Sequence, residues 1–459
     1  MKKILSIIFV LFLFGFLNNQ LQSQTLRERI GQMVWTSFSG TRLNDTIKID
    51  LQKRNLGGVI LFAGNITSPS QVRYLNDTIK MFAKTPPFIA VDQEGGRIAR
   101  LSKSNGFDAS YSAFTLGTTF NIEDSTRKSA NIMASWLKQS GFNVNLAPVA
   151  DVNVNPNSPA IGKLERSYSQ FPQLVANHAA WFINEFNKQN IIACLKHFPG
   201  HGSALQDSHL GFTDITNTWT NSELIPYQSL ISTGYDNIVM TGHLYNSKLD
   251  VSYPASLSKK VTTDLLRSQI GFSGVAITDG MSMQAITNNY SFEDAVELAV
   301  NAGNDILLYT STLRNGKSLA NNLIDIIEQR VLSGKISQSR INEAYTRIIN
   351  LKSKFGLLTS AKYLTSSSIP ENFKLYQNYP NPFNTNTTIS YHLDFSGKVS
   401  LKVFDILGRE ITTLVNSEQN KGFYTVHFDS DVFNLSSGIY YYSITTEKAI
   451  QTKKMILVK

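Results

Sequence analysis

Ile191-Ile192-Ala193-Cys194-Leu195-Lys196-His197-Phe198-Pro199-Gly200-His201-Gly202 opens as a short apolar run rich in β-branched residues and closes in charge, proline and glycine. The run reads as a core strand. Lys196 and His197 fall where that strand ends, and the Pro and Gly residues after them build a shaped loop with polar groups aimed inward. Asp207-Ser208-His209 follows a few residues later. Three histidines, a lysine and an aspartate gathered beyond one strand mark a candidate active site.

Working outward, the same pattern recurs from Gln32 to Leu357. Apolar runs occupy Met33 to Phe38, Gly58 to Ala63, Phe88 to Asp92, Phe142 to Pro148, Ile191 to Lys196, Asn237 to Gly242, Val275 to Asp279 and Asp305 to Tyr309. Amphipathic helical patterns lie between them, among them Ser70 to Phe82, Ser125 to Gln139, Pro172 to Lys188, Ser222 to Ser232, Ser258 to Gln269 and Phe292 to Ala302. Eight such βα repeats predict an α/β fold, a (β/α)8 TIM-type barrel rather than an open sheet. No Gly-x-Gly-x-x-Gly opens a helix after the first strand, which counts against dinucleotide binding. In a barrel of this kind the chemistry sits where strands end, and Asp92, Lys196, His197, His243 and Asp279 all fall there.

After Leu358 the composition changes. Residues 359–370 are rich in Ser and Thr and read as a linker. Beyond it Thr387 to Leu393, Lys398 to Phe404, Glu410 to Val415, Gly422 to Phe428, Gly438 to Thr445 and Gln451 to Leu457 alternate apolar with polar residues. They predict a small all-β, immunoglobulin-like sandwich over 371–459. No catalytic cluster of His, Asp or Glu occurs within it.

Lys2 and Lys3, an apolar stretch from Ile4 to Leu17 and the polar Asn18 to Gln24 have the layout of a secretory signal peptide, expected to be residues 1–24. The stretch is shorter than the ~20 residues a membrane-spanning helix needs; a retained anchor is the competing reading. Cys194 is the only cysteine in the 459 residues, so no intramolecular disulfide forms, and a thiolate metal cluster is excluded. Its place in a strand suits a small buried residue more than a nucleophile. The formal charge of +9 comes from 43 basic against 34 acidic residues with no block of like charge, so nucleic acid is not an expected partner.

A retaining glycosidase needs a nucleophile at the anomeric carbon and a proton donor to the leaving oxygen. Asp279, delivered by a strand into the barrel mouth, is the candidate nucleophile; a carboxylate capping the next turn is the structural alternative. In Asp207-Ser208-His209 the carboxylate can orient the imidazole, making His209 an acid and base near neutral pH. The competing reading is a metal site built from His197, His201, His209 and Asp207. Against it, the loop has no His-x-x-x-His pair, and Lys196 puts a cation beside the metal. Asp92-Gln93-Glu94-Gly95-Gly96-Arg97 and Arg100 form a third cluster, suited to paired hydrogen bonds with sugar hydroxyls. A Glu94–Arg97 pair that only holds the loop is equally compatible with the pattern.

The set Asp92-Gln93-Glu94-Gly95-Gly96-Arg97-Ile98-Ala99-Arg100, Ile161-Gly162 with Arg166-Ser167-Tyr168, Lys196 to Gly202, Asp207-Ser208-His209 and Thr278-Asp279 resembles glycoside hydrolase family 3, most of all its bacterial β-N-acetylglucosaminidase (β-N-acetylhexosaminidase) branch. The resemblance spans 25–358. It implies a retaining barrel enzyme with no metal and no organic cofactor, removing terminal N-acetyl-β-D-glucosamine from peptidoglycan fragments or chitin oligosaccharides through a glycosyl-aspartate at Asp279. It further implies that Asp92, Arg100, Arg166, Lys196 and His197 bind the sugar and that His209, assisted by Asp207, is the acid/base. β-Glucosidases of the family draw their acid from a second α/β domain; nothing of that kind follows Leu358. A phosphorylase releasing a sugar 1-phosphate, a β-glucosidase and a non-enzymatic sugar-binding surface protein are the alternatives. Lys163-Leu164-Glu165 before Arg166, Tyr168 for the usual Phe and Gly280 after Asp279 depart from the family pattern.

Leu375-Tyr376-Gln377-Asn378-Tyr379-Pro380-Asn381-Pro382-Phe383-Asn384, Val403-Phe404-Asp405 with Leu407-Gly408, and Ser437-Gly438-Ile439-Tyr440-Tyr441 resemble a type A sorting domain of the type IX secretion system. That resemblance implies the secretion machinery as a partner and a secreted or cell-surface location, with no membrane span once the signal is removed. A carbohydrate-binding module is the competing reading. Tyr440 and Tyr442 fall on one face of their strand and Tyr441 on the other, an arrangement that need not form a sugar platform.

Overall fold

The computed structural model describes residues 24–358, 373–393, 395–446 and 450–459, in two compact units that divide between Leu358 and Thr359. The expected signal peptide, all but its last residue, and the expected linker lie outside the described residues.

Eight parallel strands form the first unit's sheet: β1 (Val34–Thr36), β2 (Gly58–Leu61), β3 (Phe88–Val91), β4 (Val144–Asn145), β5 (Ile192–Phe198), β6 (Ile238–Thr241), β7 (Val275–Thr278) and β8 (Leu307–Leu308). Neighbours follow chain order. Val34 pairs with Leu307, and Ile277 bridges Ile306, so the sheet closes on itself. All eight expected runs are strands. Each is buried along its whole length, because side chains of one face fill the barrel and those of the other meet the surrounding helices.

Helices Pro172–Lys188 and Phe292–Ala302 have the expected bounds. Two others start later than the pattern suggests. Asn221–Leu224 is a 3-10 turn, and the α-helix begins at Ile225 with Pro226 in its first turn, where a missing N–H costs nothing. Ser258 precedes its helix rather than joining it: its Oγ accepts from the Val261 N–H at 3.1 Å and donates to Asp250 at 2.6 Å. At the N-terminal end of β8, buried Asp305 takes Arg267, Arg340 and Arg347, which ties the helix Gln338–Lys354 to the barrel. No helix among the described residues is long and apolar enough to cross a membrane.

The second unit has two antiparallel sheets. One holds β9 (Lys374–Leu375), β10 (Asn386–Leu393) and β13 (Gly422–Asp429); the other holds β11 (Gly397–Phe404), β12 (Glu410–Gln419), β14 (Gly438–Thr446) and β15 (Ile450–Leu457). Ile389, Tyr391 and Leu393 from the first share a core with Leu401, Tyr442, Ile444 and Met455 from the second. The period-2 alternation read from the sequence is this inward and outward alternation. Tyr442 is fully buried, and its hydroxyl donates to Tyr376 O at 2.7 Å and accepts from Asn378 N at 2.7 Å, so this tyrosine is framework.

Candidate functional site

The barrel's strand ends bring Asp92, Arg166, Lys196 and His197 together, with Arg100 beside Asp92. In a regular strand adjacent side chains point to opposite faces. Here Leu195 pairs with Val239 and Phe198 with Thr241, so β5 carries one more residue than β6 across that interval. Such a bulge re-aims side chains, and Lys196 and His197 are both buried at the strand end.

Lys196 Nζ lies 2.7 Å from Asp92 Oδ1 and 2.8 Å from Glu94 Oε1. Arg166 forks onto Glu94, with Nε and Nη2 at 2.8 and 2.9 Å from the two carboxylate oxygens, and its Nη1 donates to Ala160 O at 2.8 Å. Arg100 stands 3.6 Å from Asp92. Glu94 therefore pairs with Arg166 and Lys196; the Glu94–Arg97 pair considered from the sequence does not form. Burial acts to raise the Glu94 pKa, but the two cations outweigh it and hold the carboxyl well below its usual range. Burial likewise opposes the charge on Lys196, yet Asp92 and Glu94 keep its pKa raised. Gln93 pins the loop, its Oε1 accepting from the backbone N–H groups of Arg100 and Leu101 at 2.9 Å each.

Asp151 is the residue that sequence reasoning missed. Fully buried, it accepts from His197 Nδ1 at 2.8 Å through Oδ2, and from the backbone N–H groups of His197 (3.1 Å) and His201 (2.8 Å) through Oδ1. It fixes the imidazole's tautomer and the start of the loop together. The signal was present: Val149 bridges Lys196, so the strand's path runs past Pro148, and Asp151 follows it as Asp92 follows β3.

Asp279 ends β7, half-buried, with its Oδ1 accepting from Gly280 N at 2.7 Å. Burial works against its ionisation, but the imidazoles of His197, His243 and His209 hold its carboxyl below the ordinary range. His243 reaches the same turn: its Nε2 lies 3.0 Å from Gly280 O and its Nδ1 2.7 Å from Ser256 Oγ. A carbonyl only accepts, so Nε2 carries a hydrogen.

His209 Nδ1 and its backbone N–H both bond Asp207 Oδ1, at 2.8 and 3.0 Å. The His209 side chain is 57% exposed. The far end of this loop is held where Thr213–Asp214 pairs with Leu244–Tyr245, directly after His243. Each loop histidine has its own partner: Asp151 for His197, Ser208 for His201, Asp207 for His209. Among the described residues no group of three or more His, Cys, Asp or Glu could hold a metal ion. Cys194 is buried, and burial pushes its thiol pKa up, away from nucleophilic use.

Beneath the loop, buried Glu223 accepts from Gly202 N at 3.1 Å, and burial pushes its pKa up to about 8 from an ordinary 4.5. Below pH 4.5 the folded and unfolded chains both carry that proton; between pH 4.5 and about 8 only the folded chain keeps it, so stability falls as pH rises through that window. Glu223→Gln is always neutral and removes this penalty, on the order of a few kcal/mol above pH 8. Thermal unfolding at pH 5 and pH 9 checks it: the variant gains on the native protein at the higher pH, and an unchanged pH dependence counts against the protonated state.

Comparison with known proteins adds what geometry alone does not. Residues 25–351 match the model of the glycosyl hydrolase family 3 N terminal domain, and residues 377–459 that of a secretion system C-terminal sorting domain. The chain is similar to a β-hexosaminidase A of Pseudoalteromonas piscicida, 30% identical over 346 residues, which cover 70% of this chain and 57% of that protein. It is 34% identical over 282 residues to a β-hexosaminidase of Nitrosomonas eutropha, covering 59% of this chain and 78% of the relative. Among solved structures, a family 3 β-N-acetylglucosaminidase from Paenibacillus sp. str. FPU-7 superposes with a TM-score of 0.68 at 32% identity, covering 73% of this chain and 63% of the other. The chain thus spans less than two thirds of the Pseudoalteromonas and Paenibacillus proteins.

Proposed function

The chain belongs to glycosyl hydrolase family 3 through residues 25–351, and from that premise we propose that it is a retaining exo-β-N-acetylglucosaminidase. Its substrates would be chitin oligosaccharides or peptidoglycan fragments with a terminal N-acetyl-β-D-glucosamine. One observation carries the reading: Asp279 stands at the end of β7 with a single local hydrogen bond, from Gly280 N, and the loop bearing His209, whose Nδ1 is already committed to Asp207, returns to the strand ends where Thr213–Asp214 pairs with Leu244–Tyr245. His209 Nε2 is then the nitrogen left to move a proton.

In the first step Asp279 attacks the anomeric carbon while the glycosidic C–O bond breaks, and His209 Nε2–H protonates the departing oxygen. In the second, neutral His209 takes a proton from water, whose oxygen attacks the same carbon and displaces Asp279. Two inversions retain the β configuration. Asp92, Arg100, Arg166, Lys196 and His197 hold the sugar hydroxyls; their cations and carboxylates offer donors and acceptors side by side. Asp207 orients the imidazole, its Oδ1 holding Nδ1 at 2.8 Å so that Nε2 is left free for the leaving oxygen.

The signal-like leader and the sorting domain together support export by the type IX machinery to the cell surface or the medium.

An imidazole acid/base leaves the site less anionic than a second carboxylate, which is what a phosphorylase would use to admit phosphate. Hydrolysis predicts that release of 4-nitrophenol from its N-acetyl-β-D-glucosaminide is independent of phosphate and gives free N-acetylglucosamine, read by NMR as the β anomer first. Formation of the sugar 1-phosphate in phosphate buffer contradicts it, and failure to act on this glycoside while cleaving the β-glucoside contradicts the substrate assignment.

A further inference from the structure

We propose that Ser208 and His201 form a latch that fixes the acid/base imidazole of His209 relative to Asp279. The inference rests on the reading of His209 as acid/base and adds what holds that residue in place.

The two bonds between Asp207 and His209 are local, spanning two residues. They orient the imidazole on its own loop but do not fix that loop against the barrel. Its tip gives little packing, since Leu205 is 61% and Leu210 74% exposed. Ser208, between the two dyad residues, is the exception at 1%. Its Oγ lies 3.1 Å from Nε2 of His201, itself buried.

His201 is in turn fastened from behind. Its backbone N–H donates to Asp151 Oδ1 at 2.8 Å, and the other oxygen of that carboxylate holds His197 Nδ1 at 2.8 Å. A continuous path therefore runs from the sugar-binding imidazole through Asp151, His201 and Ser208 to the acid/base loop. Burial and the neighbouring His197 push the His201 pKa down to about 4, so the ring is neutral wherever a histidine acid works and pairs with the hydroxyl without a charge of its own. Ser208 and His201 are positioning residues: neither touches the reacting atoms.

A misplaced acid penalises substrates by how much their leaving group needs a proton. An aryl oxygen departs almost unaided, and a sugar alkoxide does not. A displacement of about 1 Å can cost about 10²-fold, so Ser208→Ala and His201→Ala should lose about 10- to 100-fold in kcat/KM on chitobiose and much less on the 2,4-dinitrophenyl glycoside. His201→Gln, whose amide reaches the place of Nε2, should recover most of the loss.

The test measures kcat/KM of the full chain and these three variants, with His209→Ala as reference, on both substrates. The expected result is a selective loss on chitobiose in the two alanine variants and rescue by His201→Gln. Equal losses on both substrates, or none on either, overturn the latch, as does an unrescued His201→Gln. If His209→Ala itself shows no leaving-group dependence, the acid/base reading fails; if it does and Ser208→Ala behaves as wild type, only the latch fails.

Discussion

Asp279→Ala abolishes turnover while the barrel stays folded. The carboxylate is the group proposed to form the covalent bond to the sugar, and losses on the order of 10⁵-fold accompany removal of such a nucleophile. The fold survives because the Asp279 carboxylate takes one backbone N–H, of Gly280, as its local hydrogen bond, whereas β7 is held by its own ladder to β6. The check is release of 4-nitrophenol from the N-acetyl-β-D-glucosaminide, beside circular dichroism to show that the variant is folded. Added azide supplies an external nucleophile where the carboxylate stood and should restore release, giving the α-glycosyl azide. Wild-type activity in Asp279→Ala removes the nucleophile assignment outright.

Lys196→Met has the second largest effect, and it falls on stability and sugar binding together. The ammonium, 3% exposed, stands between the carboxylates of Asp92 and Glu94 at 2.7 and 2.8 Å. Removing one partner of a buried ion pair leaves the other charge uncompensated, at a cost of about 3–5 kcal/mol. Arg166 still neutralises Glu94, but Asp92 keeps only Arg100 at 3.6 Å. Lys196→Arg should not rescue, since a planar fork does not fit where a compact ammonium bridges two carboxylates. The pH dependence follows from the depressed Glu94 pKa. Its stabilising contribution is present above the ordinary value of 4.5 and is lost as pH falls through the lower folded value, so the deficit of Lys196→Met narrows in strong acid. Denaturant unfolding and N-acetylglucosamine titration check both effects; a variant of native stability and affinity contradicts them.

The barrel was legible because its strands are short, apolar along their whole length and end in a polar residue, and a closed parallel sheet imposes that combination. Phe88 to Asp92 and Val275 to Asp279 show it most plainly: the apolar run is the strand, and the final Asp falls at the rim. The second unit was legible for the opposite reason, since β10 alternates buried and partly exposed residues as the sequence alternates apolar and polar.

What escaped were partnerships set by tertiary approach. Glu94 meets Arg166, 72 residues away, and not Arg97 three positions on; charge pattern ranks near neighbours first, while the barrel brings together ends of strands. Asp151 escaped because Pro148 reads as a strand's last residue, although the chain continues along its neighbour to Val149. Ser208 carries no role in the sequence pattern, and only its burial against His201 separates it from an ordinary loop serine.

The most direct measurement is to trap the covalent intermediate. A 5-fluoro N-acetyl-β-D-glucosaminyl fluoride slows the second step more than the first, so the sugar should accumulate on the enzyme and be found by peptide mass spectrometry on Asp279, in Thr278-Asp279-Gly280-Met281. A label on any other residue, or none during rapid turnover that yields the α anomer first, would contradict the account.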